Sequence, residues 1–250
     1  MANRNGAKGT MAETAVTEFL RSRCASGYPR ADHHLPSAWA RIRARGTRDE
    51  GDVRGPHTAI EVKNYRRFDE CENALLDEAE TKGREAASRL WFLAAKPAGK
   101  GLRSVHLWHA ETTLGHLLDP HGWSVTPDEM SRDEFYAALP TLCKQHATVA
   151  ATVTNPIDPL TPPMPIDLVC ISALRLRQRA RIDALMRHKE ATVATESRIP
   201  VVVSLRSVPE GLRPPAESYA YTTLGWMADL LAAVGELPMP IDDVAETIPV

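Results

Sequence analysis

The residues of this 250-residue chain best suited to chemistry gather in one short stretch, GDVRGPHTAIEVKN, residues 51–64. In an extended TAIEVKN the side chains alternate, so Ala59, Glu61 and Lys63 share one face and Ile60 and Val62 the other. The apolar face suits a core, whereas the other carries a carboxylate and an ammonium. With RGPH as the turn, Val53 pairs with Thr58 and Asp52 with Ala59, which puts Asp52 on the face of Glu61, diagonally across the pair. Two carboxylates in one pocket repel unless a cation lies between them, and a few hard oxygen ligands favour Mg2+. Lys63, on the same face, could hold a water or stabilise charge developing on a phosphate oxygen. That is the chemistry of phosphodiester hydrolysis. The same residues also read as an exposed hairpin face with a salt pair between Glu61 and Lys63, and a register slip of one residue would send Asp52 to the opposite face.

Several elements must position this stretch. Residues 10–23, TMAETAVTEFLRSR, carry Met11, Ala12, Ala15, Val16, Phe19 and Leu20 at helical spacing. Strand-like pieces follow at AWARIRA, GDV and AIEVK, punctuated by Gly51, Gly55 and Pro56. FDECENALLDEAETKGREAA reads as a longer amphipathic helix, RLWFLAA as a buried strand, RSVHLWHA as another strand and TTLGHLL as a short helix. Residues 148–166, rich in proline, read as a linker or extended crossover. Beyond them the pattern returns in part. GLR at 101–103 recurs at 211–213 and TTLG at 112–115 recurs at 222–225, both 110 positions on, with ALL at 74–76 matched by ALM at 184–186.

Charge is uneven along the chain. Residues 1–110 hold 19 basic against 14 acidic residues, and 111–250 hold 11 against 18, although the whole has a net charge of only -2. Arg41, Arg43, Arg45, Arg48 and Arg54 cluster beside the candidate site, which suits a polyanion such as DNA. The arginines also fit a solvated hairpin. The four cysteines, Cys24, Cys71, Cys143 and Cys170, form no CxxC pair and read as buried free thiols. His106 and His109 fall on opposite faces of the expected strand, which argues against zinc. The tryptophans read as core residues. No apolar run is long enough to span a membrane and no secretory h-region follows the first residues, so a soluble, cytoplasmic protein with no membrane partner is expected.

AKGTMAETAVTEFL, then GDV, then IEVKN, in that order and spacing, resemble the archaeal-type Holliday junction resolvases and their bacteriophage relatives, a branch of the PD-(D/E)XK nuclease superfamily. The resemblance covers roughly residues 5–110. It implies an α/β fold of the restriction-endonuclease-like kind, an αβββαβ core with a mixed sheet. It implies a Mg2+-dependent endonuclease, with Mn2+ as a substitute, that cleaves phosphodiester bonds at branched DNA such as four-way junctions. Asp52 and Glu61 would bind the metal with the backbone carbonyl of Val62, and Lys63 would orient the attacking water. Glu13, on the first helix, would complete the metal or water shell, and Lys8 with Thr10 would contact DNA. Because two strands of a two-fold junction are cut, a homodimer is implied as well.

The implied organisation is a nuclease domain over 1–125, a helix and Pro-rich linker over 126–165, and a degenerate nuclease-like repeat over 166–250. The chain departs from the family in having GD for PD. Its second half reads IDLVCISALRLR where the first reads AIEVKNYRR, so that copy is expected to lack catalysis and to keep Arg175, Arg177, Arg179 and Arg181 for phosphate. Two alternatives remain: another nuclease of the superfamily, acting on flaps, ends or a recognised sequence, and a DNA-binding or assembly protein that retains the fold without the chemistry.

Overall fold

Strands buried on both faces read as unbroken apolar runs, and LWFLAA and IPVVVS are two such runs. They lie deep in a ten-stranded mixed sheet with helices on both faces, an α/β architecture. A computed structural model of the chain describes residues 4–25, 36–42, 51–64, 72–97, 99–118, 124–155, 163–172, 185, 198–208 and 211–235. Among these, no helix is long and apolar enough to cross a membrane.

The first half runs α1 (Arg4–Ala25), β1 (Ala40–Arg41), β2 (Val53–Arg54), β3 (Thr58–Lys63), α2 (Glu72–Glu85), β4 (Leu90–Ala95), β5 (His109–Thr113) and α3 (Leu114–Leu118). The second runs β6 (Ser124–Pro127), α4 (Arg132–Gln145), β7 (Thr148–Thr154), β8 (Met164–Ile171), β9 (Ile199–Ser204), a small hairpin of β10 (Ser207–Val208) and β11 (Gly211–Leu212), β12 (Tyr219–Thr223) and α5 (Leu224–Ala233). Ala12, Val16, Leu20 and Cys24 recur every fourth residue and bury one stripe of α1 in the larger core, shared with α3, α4 and α5. On the opposite face α2 sets Leu75, Leu76 and Ala79 against Trp91, Leu93 and Ala95. Trp91 lies so close to α2 that a Cβ on Gly83 would come within 2.5 Å of its own Cβ, so only glycine fits there.

Strand order is β1-β2-β3-β4-β5-β12-β9-β8-β7-β6, and the sense of pairing is the same read outward from either side of the β5/β12 seam. In each direction come an antiparallel pair, a parallel pair and two antiparallel pairs. At the seam Glu111 faces Tyr221, and His109 and Thr113 face Thr223 and Tyr219. The repeated TTLG has a physical reason in this geometry. Thr113 and Thr223 each accept, through the side-chain oxygen, an N–H three residues on and so cap α3 and α5. The Leu114 N–H donates to the Ser218 carbonyl while the Leu224 N–H donates to the Trp108 carbonyl, one bond in each direction across the seam. A Cβ on Gly115 would meet the Ala216 carbonyl at 2.9 Å and one on Gly225 the His106 carbonyl at 3.1 Å, so each glycine admits a backbone turn from the other half.

Three sequence expectations change. Thr148–Thr154 is a strand and not part of a linker, because Val149, Ala151 and Val153 alternate inward with period two. Residues 103–108 are not strand: Leu102–Leu107 is a 3-10 segment, and β5 begins only at His109. His106 and His109 therefore belong to different elements, and His109 is fully buried beside Glu111. Cys24, Cys143 and Cys170 are buried free thiols, while Cys71 lies outside the described residues. Trp91 and Trp108 are core residues, as is Trp39.

Candidate active site

The β2/β3 hairpin closes one step later than the sequence suggests. The Gly55 N–H donates to the Thr58 carbonyl at 2.9 Å, and Val53 pairs with Ile60 rather than Thr58. GPHT is therefore the turn. Trp39 explains the choice, since its ring packs where a Cβ on Gly55 would stand, 2.6 Å away. The paired residues end at Val53 and Ile60, and Asp52 follows just outside them, near enough to Glu61 for its charge to be felt there. Gly51 supplies the left-handed turn of the chain (φ 90°) that brings Asp52 in, and the Asp52 N–H donates to the Ile60 carbonyl at 3.0 Å. Asp52 Oδ2 then accepts the Val62 N–H at 2.8 Å.

Glu61 is 2% exposed. Lys63 Nζ lies 2.5 Å from its Oε1, and Lys82 Nζ, from α2, lies 2.9 Å from its Oε2. Glu78, one turn before Lys82, closes a ring: its Oε2 is 2.9 Å from Lys63 Nζ and its Oε1 is 2.9 Å from Lys82 Nζ. Two carboxylates and two ammoniums thus alternate between β3 and α2. Glu13, on α1, is held by Arg41 (Nε to Oε2, 2.5 Å), and its charge is felt at Asp52.

Burial pushes the Asp52 carboxyl above the usual carboxylate range; the Val62 N–H opposes this, Glu13 adds to it, and Lys82 and Lys63 counter it. Burial likewise raises Glu61, the Asp52 charge raises it further, and Lys63 and Lys82 offset only part of the rise. Lys63 behaves in the opposite way: burial would lower it, yet Glu61 and Glu78 outweigh burial and hold it above its ordinary value. Glu78, also opposed by burial, ends below its ordinary value because both lysines bond to it. Asp52 and Glu61 are therefore the strained members of the group, neighbouring carboxylates both held above the usual range, while Lys63 is held firmly cationic.

This donor set suits a hard divalent cation, since two neighbouring carboxylates, one of them buried, are stabilised when one ion lies between them. Among the described residues, however, no group of three His, Cys, Asp or Glu side chains stands close enough to hold a metal ion. Both Glu61 oxygens face ammoniums, so a cation shared with Asp52 would have to take an oxygen from Lys63 or Lys82.

The structure brings together Glu13, Asp52, Glu61, Val62 and Lys63, with Thr10 linked to the group through Arg41 at 3.4 Å. Arg54 is turned to the end of α2, donating to the Ala86 carbonyl at 2.6 Å. Lys8 lies on α1, and its side chain is outside the described set, as are Arg43, Arg45 and Arg48 and the second-half Arg175, Arg177, Arg179 and Arg181. Sequence reasoning missed Glu78 and Lys82. Their signal was present: counted from Leu75, they occupy the third and seventh positions of the stripe that Ala79 and Ala86 continue, where an amphipathic helix ordinarily buries apolar side chains.

Pairing across the sheet places Glu61, Leu93, Glu111, Tyr221, Val202, Val169 and Thr148 in one row. Counted outward from the seam, Val169 stands where Glu61 stands and Ile171 where Lys63 stands, and Thr148, opposite Val169, lies on the strand that corresponds to β2. Comparison of the chain with protein-family models, curated proteins and solved structures finds no match.

Proposed function

We propose that the protein is a divalent-metal-dependent DNA endonuclease of the PD-(D/E)XK kind, acting on branched DNA such as a four-way junction. The observation that carries this reading is the Asp52 carboxylate, bonded to the Val62 N–H and close enough to Glu61 to act on its charge, with Lys63 two residues beyond Glu61 on a strand that runs parallel to β4 beneath α2. The element order α1-β1-β2-β3-α2-β4 supports it. In this reading residues 1–125 form the nuclease core and 166–250 a degenerate copy that β7 helps complete.

Bound Mg2+ or Mn2+ would polarise the scissile phosphate and acidify a water. Asp52 and Glu61, with the Val62 carbonyl, would hold it. Lys63 stays protonated because Glu61 and Glu78 surround it, so it orients a water and stabilises phosphate charge rather than accepting a proton. Lys82 supplies a second fixed positive charge on the other side of Glu61. Glu13, held by Arg41, places a third carboxylate beside Asp52, from which a water can be gripped. Thr10 and the arginine cluster would contact the DNA backbone.

The test is cleavage of labelled four-way junction, flap and linear duplex by the purified protein with Mg2+, Mn2+ or chelator. Metal-dependent cutting that prefers the junction is expected, and preference for flap or duplex would move the substrate within the superfamily. The closed ring of Glu61, Lys63, Glu78 and Lys82 favours a second reading, a DNA-binding or assembly protein in which the lysines replace the metal. Junction binding without cleavage under any metal would establish that reading instead. A homodimer remains part of the proposal, but β12 occupies the β5 edge, so a partner copy would have to dock elsewhere. Light scattering decides it: a mass near 27.5 kDa would remove the homodimer.

A further inference from the structure

The second half reaches α2, the helix that carries Glu78 and Lys82, through one fully buried side chain. Arg206, just past β9, is 0% exposed, and its guanidinium donates to α2 of the first half. Nε bonds Asn73 Oδ1 at 2.7 Å, and Nη2 bonds both the Asn73 carbonyl at 2.7 Å and Asp77 Oδ1 at 2.8 Å. Two more second-half residues grip the same turn. Arg213 straddles Asp77 with two 3.3 Å bonds, and the Tyr219 hydroxyl donates to Asn73 Oδ1 while its ring lies 5.5 Å from the Arg206 guanidinium carbon.

Nε and Nη2 of Arg206 find acceptors on α2, whereas Nη1 is buried with no hydrogen-bond partner among the described residues, and a planar fork fixes an acceptor's direction as well as its distance. Asn73 and Asp77 stand one turn apart on α2, and Glu78 and Lys82 follow on the same helix. The rotation of α2 about its axis is what brings these last two against Glu61 and Lys63. Apolar packing of Leu75, Leu76 and Ala79 holds the helix onto the sheet but is non-directional and fixes that rotation weakly.

We propose that Arg206 is a positioning residue for the site: by clamping Asn73 and Asp77 it sets α2 so that Glu78 and Lys82 meet Glu61 and Lys63. The half without the acid and lysine side chains thereby acts as a brace for the half that has them. The role in turnover rests on the nuclease reading, whereas the clamp itself does not.

The test uses the full chain with Arg206→Met and two readouts: single-turnover junction cleavage, and acylation of Lys82 by an amine-reactive ester followed by mass spectrometry. The expected result is Lys82 labelled several-fold faster and kcat down about 10- to 100-fold with KM for DNA unchanged, the signature of a displaced group and not of lost binding. Arg198→Met, which breaks a comparable pair with Asp167 (2.7 Å) remote from α2, should lower Tm and leave both readouts alone. A folded Arg206→Met protein with wild-type labelling and wild-type kcat overturns the proposal. If Arg206→Met does not fold, Asp77→Asn, which keeps the side-chain shape, is read in the same way and decides with the same two outcomes. If the wild-type chain cuts no DNA, the nuclease reading fails and Lys82 labelling alone decides the clamp.

Discussion

β3 and β8 hold matching places in the sheet, each antiparallel to an outer strand and parallel to an inner one, yet they use those places differently. Facing the α2 side, β3 carries Glu61 and Lys63 where β8 carries Val169 and Ile171, both buried. Removing a carboxylate or an ammonium from water costs several kcal/mol per ion before partners compensate, whereas burying Val or Ile contributes about 1.5–3 kcal/mol. The first half therefore needs Lys82 and Glu78 from α2 to satisfy β3, and the second needs none at β8. The same fold thus accommodates an apolar solution at β8 and a charged one at β3.

The largest effect that would sharpen this contrast is on cleavage. On the nuclease reading, Asp52→Asn and Glu61→Gln should each lower junction cutting by about 1,000-fold or more while junction binding persists, since each removes a proposed metal ligand and leaves the arginines in place. Thr148→Asn, on the second-half strand that corresponds to β2, should stay within about twofold of wild type by the same assay, as a surface change away from the reacting groups does. Equal losses from both halves would erase the distinction.

Next in size, Lys63→Ala and Lys82→Ala should each cost about 100-fold in single-turnover rate, with Lys63→Arg also impaired because a guanidinium fork does not replace a compact ammonium. Rates equal to wild type at saturating protein would reduce both lysines to structural counter-ions of Glu61.

On stability the halves should differ in sign. Ile171→Ala leaves a cavity and should destabilise by about 2–5 kcal/mol in urea titration. Asp52→Asn, by contrast, should raise Tm at neutral pH. The folded-state pKa of Asp52 is raised, so its ionised form weighs against folding above that pKa and ceases to do so as pH falls through it toward the unfolded value. The gain from Asp52→Asn should accordingly be largest near neutral pH and shrink on acidification into the ordinary carboxylate range. Glu78 runs the other way, since its lowered pKa gives a stabilisation present above its unfolded value and lost as pH falls through the folded one. A thermal series of Asp52→Asn against wild type from neutral to acid pH checks the sign, and a uniform loss of Tm would show that Asp52 is held for the fold.

Much of the local architecture was legible because it depends on neighbours in sequence. Alternation in TAIEVK fixes which residues share the face of Glu61, four-residue spacing fixes the buried stripe of α1, and TTLG marks the two places where a strand turns into a capped helix. What the sequence alone left open depends on residues far apart in it. The hairpin register follows from Trp39 resting on Gly55, and the 3-10 path of Leu102–Leu107 follows from the close approach of α5 at Gly225. The recruitment of Glu78 and Lys82 follows from the rotation of α2 about its axis, which on the clamp proposed above is set by Arg206 more than a hundred residues on. Periodicity is a one-dimensional signal that survives without a partner. Register, helix rotation and the neutralisation of a buried charge are set by groups that only the folded chain brings within bonding distance.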